Sequence, residues 1–84
     1  MNNMISKAAL EARRARFKIG SRVELISMSD PYTKLKPGDQ GIVTFVDDCG
    51  SVFCAWSNGE GLAAIYGEDQ IKLISDPIPD VAGD

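Results

Sequence analysis

The chain has 84 residues, 44% of them hydrophobic, with nine lysines and arginines against twelve aspartates and glutamates and no histidine, for a net charge of −3. A chain of this length forms one domain and buries only about 60% of the surface that it exposes when unfolded. A membrane-spanning helix needs about 20 consecutive apolar residues and a secretory leader needs an apolar core. Neither is present: the stretch from Ile5 to Phe17 is broken by Lys7, Glu11, Arg13, Arg14 and Arg16, so no membrane association and a cytoplasmic location are expected.

The charge is unevenly spread. Residues 1–18 hold five basic groups and one acidic group, whereas residues 19–84 hold four basic and eleven acidic groups. Ile5 to Phe17 contains strong helix formers without Gly or Pro, and Ser6 is suited to cap its start. The apolar stripe on such a helix is mostly alanine and thin, so residues 1–18 read as a basic arm, either helical or disordered. Gly20 ends the pattern and opens the domain.

Ser21 to Ile26 alternates, with Val23 and Leu25 facing inward, as a half-buried strand does. Ser27 to Pro37 is too polar and too punctuated for a regular element and reads as a loop, with Tyr32 and Leu35 folding back over one end of the domain. Pro37-Gly38 suits a type II turn that delivers the chain into a second strand, Gln40 to Val46. Alternation places Val43 and Phe45 of that strand on one face, and a turn at Asp47-Asp48-Cys49-Gly50 leads to a third strand with Val52, Cys54 and Trp56 on its inner face. Val43, Phe45, Val52 and Trp56 are therefore the expected core. Asn58-Gly59 marks a type I′ turn. Leu62 to Ile65 is a short fourth strand, Tyr66 to Asp69 a single turn, and Gln70 to Ile74 a fifth strand. Residues 76–84, with alternating prolines and three acids, read as a disordered acidic tail.

The expected architecture is all-β, a small five-stranded barrel over residues 19–75. Gly20-x-x-Val23-x-Leu25, Lys36-Pro37-Gly38-x-x-Gly41-x-Val43 and Val52-x-Cys54-x-Trp56-x-Asn58-Gly59 together resemble a KOW-type, more broadly SH3-like, β-barrel. The segment Ser27-Met28-Ser29-Asp30-Pro31-Tyr32, with Val46-Asp47-Asp48 and Trp56-x-Asn58-Gly59, is similar to a small uncharacterised domain family of bacteria and their phages. The likeness covers Phe17 to Ile74. It implies a phage or prophage accessory protein or host-directed inhibitor, and the acidic surface would steer such a module to a basic partner such as a host nucleic-acid enzyme. Nucleic-acid-binding relatives of the architecture carry basic loops, whereas the loops here offer Lys34 and Lys36 against Asp30, Asp39, Asp47, Asp48 and Glu60.

No catalytic signature is present, since the chain lacks histidine and a Gly-rich phosphate loop, and Asp47-Asp48 reads as a turn. The two cysteines cannot complete a four-ligand zinc site without histidine and are expected to be free thiols. No cofactor or metal is expected. Two non-enzymatic functions remain. In the first, a protein-interaction module presents Met28, Asp30, Tyr32 and Lys34 to a protein partner, itself basic or associated with nucleic acid. In the second, Lys7, Arg13, Arg14, Arg16 and Lys18 bind the phosphates of a nucleic acid. The acidic remainder favours the first, because it repels phosphate. A core this small also leaves room for stabilisation by dimerisation.

Overall fold

The computed structural model describes residues 5–77. One helix, α1 (Lys7–Arg16), precedes five strands: β1 (Arg22–Ser27), β2 (Gln40–Val46), β3 (Val52–Trp56), β4 (Ala63–Ala64) and β5 (Gln70–Ser75). The strands form one antiparallel sheet in the order β4-β3-β2-β1-β5. The fold is thus all-β with a short helical arm, as expected, but β4 and β5 remain the two edges and the sheet is not closed into a barrel. Residues 78–84, most of the expected tail, lie outside the described residues.

Helix α1 starts where Ser6 Oγ accepts a hydrogen bond from Ala9 N at 3.1 Å, which satisfies one of the free amides of the first turn. Arg13, Arg14 and Arg16 in the last turn complement the helix dipole. None of the helical residues is buried; the contribution to the core comes from Phe17, just past the helix end. The helix is held to the sheet by Arg13, whose Nε donates to Gly50 O at 2.7 Å and whose guanidinium lies over the rings of Phe17 and Tyr66, 5.3 and 5.1 Å from their centroids. Ile5 packs so closely on Gly50 that a Cβ there would lie 2.7 Å from Ile5 Cδ1.

Val23, Leu25, Val43, Val52, Cys54, Trp56 and Ala64 of the sheet, with Phe17 and Leu35, form the core. Phe45 does not join it. Val43 pairs with Cys54 but Phe45 pairs with Phe53, so Thr44 is an extra residue on β2. Such a bulge reverses the inward phase of everything after it. Phe45 is left 46% exposed, stacked on Phe53 with centroids 4.4 Å apart. Trp56 is 3% exposed, lies against the backbone at Gly41, and donates from Nε1 to Leu62 O at 2.9 Å.

The two hairpin turns are built alike. Gly50 N donates to Asp47 O and Asp47 N to Ser51 O; Gly59 N donates to Trp56 O and Trp56 N to Glu60 O. Gly50 and Gly59 have φ of 84° and 93°, while no residue other than glycine has positive φ among those described. A type I′ turn needs positive φ at both central residues, so the expectation at Asn58-Gly59 is corrected to a three-residue loop, a type I turn closed by a glycine bulge. Pro37-Gly38 does occupy the centre of a turn closed by Asp39 N to Lys36 O at 3.0 Å.

Candidate functional site

The connection from β1 to β2 carries the residues singled out for partner binding, and its conformation is set by short polar side chains. Ser29 N donates to Asp69 Oδ1 at 2.8 Å, and Ser29 Oγ lies 3.2 Å from the same oxygen and 3.4 Å from Glu68 Oε1. Asp30 Oδ1 accepts from Tyr32 N at 2.8 Å, the aspartate turn that Pro31 favours. Thr33 Oγ1 donates to Glu60 Oε1 at 2.6 Å, and Lys34 N donates to Glu60 Oε2 at 3.3 Å. Leu35 then enters the core. The loop is therefore strung between Asp69 and Glu60, which lie on either side of β4. Asp69 has a second task, accepting from Ile65 N at 2.8 Å and so closing the turn before β5.

Tyr32 stands 91% exposed at the middle of this span. It does not fold back over the domain as expected; only Leu35 does, because the aspartate turn at Asp30 directs the intervening residues outward. Lys34 is exposed, and Met28 is half-buried against the core. The Thr33 hydroxyl is the largest influence on Glu60, holding its carboxyl below the usual range, with help from Lys34 and Asn58.

Between loop and sheet lies a groove of about 390 Å³ in which Met28, Leu62, Ala63 and Ile65 supply apolar surface and Asp30, Glu68 and Asp69 supply charge. Among the described residues, ion pairs form only between Arg14 and Asp48 and between Lys72 and Glu24. Among the described residues the three carboxylates of the groove thus form no ion pair. Met28 and Asp30 line it, while Tyr32 and Lys34 stand farther along the loop. The role of Glu60, Glu68 and Asp69 as fastenings was missed by sequence reasoning, because nothing local links them to Ser29, Thr33 and Lys34, 26 to 40 positions away.

A family model described as "Domain of unknown function (DUF4314)" matches residues 6–74. The chain belongs to the DUF4314 family. No curated protein and no solved structure matches it.

The match takes in the helix as well as the sheet, and in this DUF4314 chain the five basic residues of the arm differ in their surroundings. Arg13 turns inward to Gly50, and burial lowers its pKa. Arg14 donates to Asp48 Oδ1 at 2.8 Å. Arg16 lies over the Phe17 ring, 5.6 Å from its centroid. Lys7, Arg16 and Lys18 are exposed. A second groove, of about 350 Å³, runs between arm and sheet and is lined by Arg14, Phe17, Lys18, Ile19, Phe45 and Val46. Among the described residues of the DUF4314 domain no three His, Cys, Asp or Glu side chains are placed to hold a metal ion, and no helix is long and apolar enough to cross a membrane. Cys49 is exposed and Cys54 buried, both free.

Proposed function

We infer that this DUF4314 domain is a non-enzymatic protein-interaction module that presents the Met28 to Lys34 loop, with Tyr32 as its anchor. The observation that carries the reading is a tyrosine 91% exposed on a loop already fastened at both ends by side-chain hydrogen bonds. A large aromatic whose backbone is already fixed loses little beyond side-chain freedom when a partner covers it, which suits an interface hot spot. Asp30, Glu68 and Asp69 add a negative field beside it, which suits a basic partner.

The strand order, a meander from β1 to β4 with β5 returning to β1, supports carrying the KOW-type, SH3-like resemblance into this reading. On the likeness to a domain family of bacteria and their phages, the role is that of a phage or prophage accessory protein in the cytoplasm, and the acidic surface directs it at a basic partner such as a host nucleic-acid enzyme. The nucleic-acid alternative is disfavoured by Arg13, whose Nε is committed to Gly50 O and whose guanidinium lies over the rings of Phe17 and Tyr66 rather than outward.

The test is affinity capture from the native cytoplasm with and without nuclease, using wild type, Tyr32→Ala, and a triple reversal of Arg14, Arg16 and Lys18 to Glu. Tyr32→Ala is expected to weaken the nuclease-resistant complex by about 1–3 kcal/mol. Capture that is lost on nuclease treatment, and lost in the triple reversal but kept by Tyr32→Ala, replaces this reading with the nucleic-acid one.

A further inference from the structure

We propose that the groove between the β1–β2 loop and β4 receives one long basic side chain, lysine or arginine, from the partner protein. The inference rests on the protein-interaction reading and gives it a partner chemistry. Leu62, Ala63, Ile65 and Met28 present apolar surface, and Asp30 and Glu68 stand among them at the same groove. A lysine or arginine has this same division, an aliphatic stem ending in a charge, and buries the stem along apolar surface while its head keeps polar company. An aliphatic ligand would leave the carboxylates unpaired, and an acidic one would be repelled.

The polar groups are free to accept. Asp30 uses Oδ1 for Tyr32 N and Glu68 uses Oε1 for Ser29 Oγ; among the described residues the second oxygen of each has no hydrogen-bond donor. The backbone adds a further acceptor. Phe53 pairs with Ala63, and Cys54 N donates to Leu62 O, which makes Phe53 and Ala63 a non-hydrogen-bonded pair of the antiparallel ladder. The N–H and C=O of Ala63 therefore point away from β3, toward the open edge beside the groove. A guanidinium or ammonium has five or three donors and no acceptor, and an edge carbonyl flanked by carboxylates is a set that it can satisfy. Ser29, Thr33 and Lys34 hold the loop in place beforehand, so the groove need not be assembled by the ligand.

The experiment titrates the isotope-labelled full chain with N-acetyl-arginine methylamide and N-acetyl-lysine methylamide, against the norleucine and glutamate analogues, and follows backbone amides by NMR. Saturable shifts are expected at Met28, Ala63 and Ile65 with a basic probe, at concentrations up to about 100 mM, and at least about fivefold weaker binding of the norleucine probe. Glu68→Gln should weaken the basic probe about two- to fivefold, and Glu68→Lys, which places the chain's own cation at the groove, should abolish it. Glu68 has only a 3.4 Å side-chain contact to lose, so both variants are expected to fold, which unchanged amide positions away from the groove will verify. The inference is overturned by the absence of saturable shifts at those amides, by equal or tighter binding of the norleucine or glutamate probe, or by unchanged binding in Glu68→Lys. Any of these results leaves the interaction reading to be judged separately by Tyr32→Ala in the capture experiment.

Discussion

Trp56 shows how much one side chain fixes in a domain this small. Its ring is laid over Gly41, its indole N–H is satisfied by Leu62 O, and the residue ties β3 to the segment leading into β4. Trp56→Ala is expected to cost about 3–5 kcal/mol, a large part of the stability of a domain of this size, and urea denaturation will register it. The cysteines differ as sharply from each other. Burial pushes the Cys54 thiol up to about 12, whereas Cys49 is exposed. In the native protein only Cys49 should react with a thiol reagent, and both should react in denaturant. The raised Cys54 value favours the folded, neutral thiol below its unfolded pKa of about 8.5, and that advantage is lost as pH climbs from there toward 12. Denaturation midpoints should thus fall across this range, less steeply in Cys54→Ala. A third buried group, Ser21 Oγ, has no hydrogen-bond partner among the described residues; Ser21→Ala should be neutral or stabilising by about 1 kcal/mol, read in the same unfolding experiment.

Among the elements, α1 depends on what it touches. No helical side chain is buried, and a ten-residue helix is marginal by itself in water. Its attachment runs through Gly50, where Ile5 and Arg13 meet the β2–β3 turn. Gly50→Ala both forces a side chain into positive φ and collides with Ile5, so it should cost at least about 1–2 kcal/mol and raise amide exchange in α1 more than in β1 or β2. The alternation of Val23 and Leu25, and of Val52, Cys54 and Trp56, was legible because a strand repeats every two residues and nothing interrupts these runs. Phe45 was not legible: Thr44 is an ordinary strand residue, and only pairing with β3 reveals that it is the extra one. The positive φ of Gly59 was read correctly from Asn58-Gly59, but the turn type depends on where pairing resumes, at Trp56 and Glu60. The loop behaved similarly. Its punctuation announced irregular backbone, and the fastening of its ends could not be deduced, since it depends on carboxylates of distant segments.

For the whole molecule, separate variants distinguish stability from recognition. Tyr32→Ala removes an exposed ring and should leave the denaturation midpoint within about 0.5 kcal/mol of wild type. Deleting residues 1–18 should not be so innocent, because it takes away Phe17, a core residue. A loss of about 3–5 kcal/mol is expected from the missing aromatic, visible as a lowered thermal midpoint. Nucleic-acid binding is therefore better tested by reversing exposed charges than by removing the arm.

The return of β5 to β1 has a consequence for the birth of the protein. Val23 faces Leu73 and Leu25 faces Ile71, partners that lie far apart along the chain, so the first strand waits for the last before its second edge is covered. Contacts of such long range carry a high loop-closure cost and slow folding relative to a helical chain of equal length. During synthesis β1 to β4 can form their meander early, but β1 remains an open edge until Gln70 to Ser75 have left the ribosome. A translation pause before Gln70 would hold the nascent chain in that state, with an unpaired strand ready to join another copy.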